Sequence, residues 1–240
     1  MANPADAGKA KVAREPLSQG LVMELEYLAL PGRRFMNEAL TKVLKDKDIV
    51  LTPVLYSRFA VQPGLTKGLE DLLAAVGKKK LSVGKLAEEI MEQFLRSVQK
   101  SSVHLDPEIE ALLADAAKAN VQIGAISFLP ADVARELLEK FGLKDTLTLQ
   151  VMAAQPRGRS LTEGWLKLLQ AMKLPAYRCV ALCTDAVAYK AALIAGLRCV
   201  VVPDDSTAYQ DFSGADLVMA NAKELAIKDM LALLSPCAFR

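Results

Sequence analysis

The stretch Gly20-Leu-Val-Met-Glu-Leu-Glu-Tyr-Leu28 decides how this chain is read. Its apolar start predicts a buried strand over 20–26, and its end carries two carboxylates two residues apart. Side chains alternate between the faces of a strand, so the spacing predicts that Glu24 and Glu26 project to one side at the strand's carboxyl end. Open α/β sheets bind their ligands at that end. Two carboxylates converging at a buried tip lose hydration, so an ion, a basic side chain or a water-filled cleft has to accompany them.

The remainder of the chain supplies the sheet. From Asp106 onward, helical and apolar segments alternate: helix 106–119, strand 121–127, helix 130–141, strand 147–152, helix 161–173, strand 179–184, helix 186–195 and strand 198–203. A short strand at 216–219 and a helix at 222–234 complete the series. This alternation predicts an α/β fold with a doubly wound parallel sheet. Runs without polar alternation, such as Cys199-Val200-Val201-Val202, fit strands covered on both faces. Between the first strand and Asp106, apolar residues recur at intervals of three and four over 35–46, 53–60, 65–76 and 82–98, which predicts four helices. Turns fall at Pro63-Gly64 and 77–80, and Thr52 and Ser82 stand where N-caps are expected. The expected organisation is a flexible tail over 1–17, an α/β core over 18–31 and 104–240, and a helical insert over 32–103.

Composition excludes several classes of function. A chain of 240 residues, 52% of them hydrophobic, can fill a sizeable core. Thirty basic residues against 28 acidic ones give a net charge of +2, too little for a general field toward nucleic acid or acidic membranes. The local clusters Lys9/Lys11/Arg14 and Lys78-Lys79-Lys80 read as solvated surface. Residues 1–16 lack the apolar core of a secretory signal, and no run approaches the ~20 apolar residues that span a bilayer. A cytoplasmic protein with no membrane or nucleic-acid partner is expected. The four cysteines form no C-x-x-C pair, which argues against zinc, and three lie in or beside apolar runs, as buried reduced thiols do. His104, the single histidine, precedes Asp106-Pro107 in a connector, with no nucleophile apparent beside it. Trp165 shares a helical stripe with Leu161, Leu168, Leu169 and Met172 and reads as core. No G-x-G-x-x-G follows the first strand, against a nucleotide-dependent oxidoreductase.

With one strand, a helical insert and then repeated strand–helix units, residues 20–235 resemble the haloacid dehalogenase-like superfamily, in particular its helical-cap members such as the β-phosphoglucomutase-like phosphatases. Four motifs carry the likeness. The family's D-x-D-G-T stands here as Glu24-Leu25-Glu26-Tyr27-Leu28, its Ser or Thr after the next strand as Ser127, and its basic residue as Arg159 in Arg157-Gly-Arg159-Ser. Its acidic pair after a later strand stands as Cys183-Thr184-Asp185, followed by a family-like helix over Lys190-Ala-Ala-Leu-Ile-Ala-Gly196. The resemblance implies Glu24 as the attacking acid, Glu26 as general acid/base, and Ser127 and Arg159 as phosphate contacts. It implies magnesium, held by Glu24, Glu26 and Asp185, as the one cofactor, and a small phosphorylated molecule as ligand.

The departures from the motifs bear on chemistry. A glutamate adds a methylene and moves the reacting oxygen by about 1 Å, a misplacement that costs ~100-fold in rate. Tyr27 replaces a glycine at the turn, Leu28 removes a polar side chain, and Thr184 stands for the metal-binding acid, with Asp185 one residue further on. Ser127 and Asp185 also have structural readings as caps of the helices near Pro130 and over 186–195, and Arg159 as a solvated loop charge. The expectation is a degraded phosphoryl-transfer site whose fold and cleft persist for binding a ligand or partner. The alternative is a magnesium-dependent phosphatase or phosphomutase acting on a small phosphorylated metabolite with Glu24 as nucleophile.

Overall fold

A computed structural model describes residues 18–60, 65–100, 102–152 and 161–235. The tail over 1–17, the Pro63-Gly64 turn, Arg159 and Cys237 lie outside the described residues. Six strands are formed: β1 (Gly20–Glu24), β2 (Gln122–Ser127), β3 (Leu147–Val151), β4 (Cys179–Cys183), β5 (Arg198–Val201) and β6 (Leu217–Val218). They make one sheet in the order β3-β2-β1-β4-β5-β6, and every pairing is parallel. The chain winds outward from β1 to β3, then returns to lay β4 on the other side of β1. This reversal of direction opens a crevice at the carboxyl ends of β1 and β4.

Helices cover both faces, as right-handed crossovers require. α1 (Gly32–Lys45), the single turn α2 (Pro53–Leu55), α3 (Leu65–Ala75) and α4 (Val83–Val98) make a helical block between β1 and α5 (Pro107–Lys118). α6 (Ala131–Lys140), α7 (Leu161–Met172), α8 (Ala186–Ile194) and α9 (Ile227–Ala232) follow. Leu21, Met23, Ile123, Val180 and Val200 point to the face packed by α5 and α9. Val22, Ile126, Ala181 and Val201 point to the face packed by α7 and α8, where Trp165 is fully buried. The helical block packs Phe35, Leu40, Leu72, Ile90 and Phe94 into a further cluster that also takes in Val133 and Leu137 of α6. Among the described residues no helix is long and apolar enough to cross a membrane.

Three segments differ from the sequence reading. The strand expected over 20–26 ends at Glu24, and Leu25–Ala29 form a π-helical turn instead. The helix expected over 53–60 is one α turn continued as a π turn over Tyr56–Ala60. The helix expected over 222–234 divides into a 3₁₀ turn, Ala222–Glu224, and α9. In each case apolar periodicity marks which side is buried, but it does not distinguish helices of different pitch.

Candidate functional site

The site is built on the tips of three strands. β1 ends at Glu24, β2 ends at Ser127, and Thr184 and Asp185 follow β4 directly. Glu24, Glu26, Ser127 and Thr184 are all buried. The structure therefore brings together every described residue singled out for this site, but not in the arrangement that strand alternation predicts. Because the backbone leaves the strand after Glu24, the two glutamates go to opposite sides of β1.

Glu24 turns toward β4. Its Oε2 accepts hydrogen bonds from the Thr184 amide and the Thr184 hydroxyl, both at 3.1 Å. Burial pushes its carboxyl up from the ordinary 4.5 to about 8, with the nearby Asp185 charge adding to the rise and the Arg33 guanidinium opposing it. Glu26 turns toward β2. Its Oε1 accepts a short hydrogen bond from the Ser127 hydroxyl and further bonds from the Phe128 amide at 3.1 Å and the Leu129 amide at 3.3 Å. Those three donors form a concave cradle for an oxyanion, and the carboxylate lies in it. Burial raises the Glu26 pKa too, while Ser127 and the amides pull it back. Its other oxygen, Oε2, is buried with no hydrogen-bond partner.

Arg33, unmarked by any motif, sits beside Glu24. It opens α1 in the helical block, yet its Nη2 lies 2.6 Å from the Thr184 hydroxyl and 2.8 Å from Asp185 Oδ2. Its Nε makes an ion pair with Asp204 Oδ2 at 2.9 Å, although not with the alignment of a hydrogen bond. The Tyr27 ring lies under the guanidinium, 4.4 Å away. Thr184 is thus a relay: its oxygen accepts from Arg33 while its proton goes to Glu24. Asp185 serves twice, since Oδ1 caps α8 through the Val187 and Ala188 amides and Oδ2 meets Arg33. Ser127 does not cap α6, whose N-cap is Pro130; it takes the Leu129 amide at 3.2 Å and gives its own proton to Glu26.

The sequence held a faint signal for Arg33. It precedes Leu40 and Leu44 by seven and eleven residues, so it belongs to the buried stripe of α1, where a charge demands a partner. Asp204 carries no such signal, because it lies in the loop beyond β5, with its carboxylate held by the Ser206 amide.

The magnesium that the resemblance implies does not fit these residues as they stand. The position between Glu24, Asp185 and Asp204 is taken by a guanidinium, and Glu26 points away from it. Among the described residues no group of three His, Cys, Asp or Glu side chains is arranged to hold a metal ion. A cleft of about 750 Å³ does open nearby, between the connectors that enter and leave the helical block. Its lining includes Tyr27, Arg33, Arg34, Lys100 and His104 but neither Glu24, Glu26 nor Ser127.

Comparison with known proteins agrees with this architecture. No family model matches the chain. The CbbY protein of Cereibacter sphaeroides is 27% identical over 151 residues, which is 61% of this chain and 66% of that protein, just under two thirds of its length. The crystal structure of CbbY from Rhodobacter sphaeroides in complex with phosphate superposes with a TM-score of 0.74 at 17% identity, covering 89% of this chain and 99% of that one. A β-phosphoglucomutase from Clostridium difficile gives a TM-score of 0.72 at 17% identity, over 91% and 97% of the two chains. The chain has the fold of CbbY and β-phosphoglucomutase, as the resemblance implied. Members of this fold so similar in outline can still differ at the strand tips, and the side chains there decide the chemistry.

Proposed function

We infer that this protein is a haloacid dehalogenase-like protein that does not carry out phosphoryl transfer and keeps its fold to bind a ligand or a protein partner. The observation that supports this most directly is the place of Glu26. A general acid has to reach the leaving oxygen of a substrate. Here the carboxylate is occupied by Ser127 and two backbone amides. Those are the donors a phosphate would need, so substrate and Glu26 compete for one place. CbbY structures contain phosphate and, in a variant, xylulose-(1,5)bisphosphate. A phosphorylated small molecule remains the natural ligand class for this chain, bound in the open cleft on the far side of Arg33 and Tyr27. The three cysteines among the described residues are free and buried, which suits a reducing compartment such as the cytoplasm.

Glu24 is a poor nucleophile as placed. Its carboxylate already accepts two bonds from Thr184, and burial favours its protonated form near neutrality. The test is a screen of phosphate esters with and without magnesium. No turnover is expected with any ester. Magnesium-dependent turnover that disappears in Glu24→Gln would replace this reading with that of a phosphatase or phosphomutase.

A further inference from the structure

Two of the motif departures that weaken phosphoryl transfer, Thr184 and Tyr27, share a second property: both suit a guanidinium. Thr184 is a neutral group that accepts from Arg33 and donates to Glu24, which a carboxylate at that position could not do. Tyr27 supplies a ring face 4.4 Å from the guanidinium carbon, where a glycine would supply nothing. Asp185 and Asp204 meet two different nitrogens of the planar fork, at 2.8 and 2.9 Å. The Tyr56 hydroxyl donates to the Arg33 backbone carbonyl at 2.8 Å and fixes the start of α1 beneath the fork. Segments far apart in sequence converge on one side chain that is only 9% exposed.

We propose that Arg33 is the resident cation of this site, taking the position that a divalent ion would need, and that the same contact holds the helical block closed over the sheet. The inference rests on the reading that the site does not transfer phosphoryl groups, and it adds how the site is kept that way. Asp185 and Asp204 come together near the tip of β1, and acids gathered at a part-buried place need positive charge. A guanidinium supplies it without exchange, because it is covalently part of the chain. A divalent ion entering the same space would meet that positive charge and would have to displace a fork already hydrogen-bonded to Thr184 and Asp185 and ion-paired with Asp204. The fork also crosses from one part of the molecule to the other. Arg33 belongs to α1, whereas Thr184, Asp185 and Asp204 belong to the loops at the sheet's edge, so each of these guanidinium contacts ties the helical block to the strand tips. The Tyr209 hydroxyl donating to the Ser57 carbonyl at 2.7 Å is a second tie across the same boundary.

The test uses the full-length protein and Mn²⁺ as the probe. In the wild type, added Mn²⁺ leaves the electron paramagnetic resonance signal of the free ion unchanged, and the Arg33 side-chain NMR signal stays slow to exchange with water in the presence of magnesium. Arg33→Met keeps the apolar stem and removes the fork. Hydrogen exchange of the α1 and 53–60 amides then quickens on the order of tenfold or more, while β1 and β4 remain protected. Arg33→Lys, which keeps the charge but not the planar fork, still excludes Mn²⁺ and guards against a Met variant that does not fold. Uptake of Mn²⁺ by the wild type that is lost in Glu24→Gln overturns the proposal. So does a folded Arg33→Met whose amide exchange is unchanged. Ion uptake without ester turnover would sink this proposal and leave the reading beneath it standing, whereas ester turnover would sink that reading and this proposal with it.

Discussion

Glu26 shows what one methylene and one change of backbone pitch do together. On a continued strand its carboxylate would lie beside that of Glu24; after the π turn it reaches the amides at the end of β2. The pair is thereby split, each carboxylate facing its own set of donors. Burial is the leading cause of the raised pKa of both, and its sign has a consequence for stability. Glu24 holds its proton up to about 8 in the folded chain but releases it near 4.5 when unfolded. Between those values the folded state binds more protons, so stability declines as pH rises through the window and levels off above it. Glu24→Gln removes the dependence on this group and leaves a shallower decline from Glu26, whose shift has the same direction. Denaturant midpoints measured from pH 5 to pH 9 check this, and a wild-type stability that climbs across the range would refute the assignment.

At the scale of elements, the parallel sheet and most helices were legible because burial writes a period into the sequence, and burial of both faces erases it in strands such as β4 and β5. The end of β1 was not legible. Alternation places Glu24 and Glu26 together only while the strand continues, and nothing local to Glu24-Leu25-Glu26 announces a π turn. A contact six residues further on constrains it. Gly32, the first residue of α1, packs against the Glu26 backbone so closely that a Cβ there would run into the Glu26 carbonyl oxygen. The turn and the helix start therefore fit only with glycine at that contact. Gly32→Ala is expected to destabilise the fold by about 1–3 kcal/mol, the range for overpacking against a backbone that has to shift. Thermal denaturation measures the loss, and an unchanged midpoint would mean that the π turn is free to move. Arg33 illustrates the other limit of reading by eye: its partners Thr184 and Asp185 are more than 150 residues away, so only the closed sheet reveals them.

For the whole molecule, the question is whether the helical block and the sheet unfold as one. Among the described residues, polar ties cross the boundary through Arg33, through Tyr209 with Ser57 and through Lys140 with the Lys100 carbonyl. The apolar contact is more extensive, since the cluster inside the block continues through Leu129, Val133, Ala134 and Leu137 at the end of β2 and along α6. α6 connects β2 to β3, so its inner face belongs to the block while its ends belong to the sheet. That arrangement makes the two parts share one core instead of meeting at a polar seam. Leu137, 2% exposed at the centre of this contact, is the residue that tests it. Leu137→Ala should cost about 2–5 kcal/mol through lost burial and the cavity left behind. If the core is shared, Trp165 fluorescence, which reports from the opposite face of the sheet, and far-ultraviolet circular dichroism, weighted toward the helices, fall together at one lowered midpoint. If the block is an independent unit, the dichroism shifts first and the Trp165 signal stays where the wild type has it, and the closure assigned to Arg33 would then have to be carried by the polar ties alone.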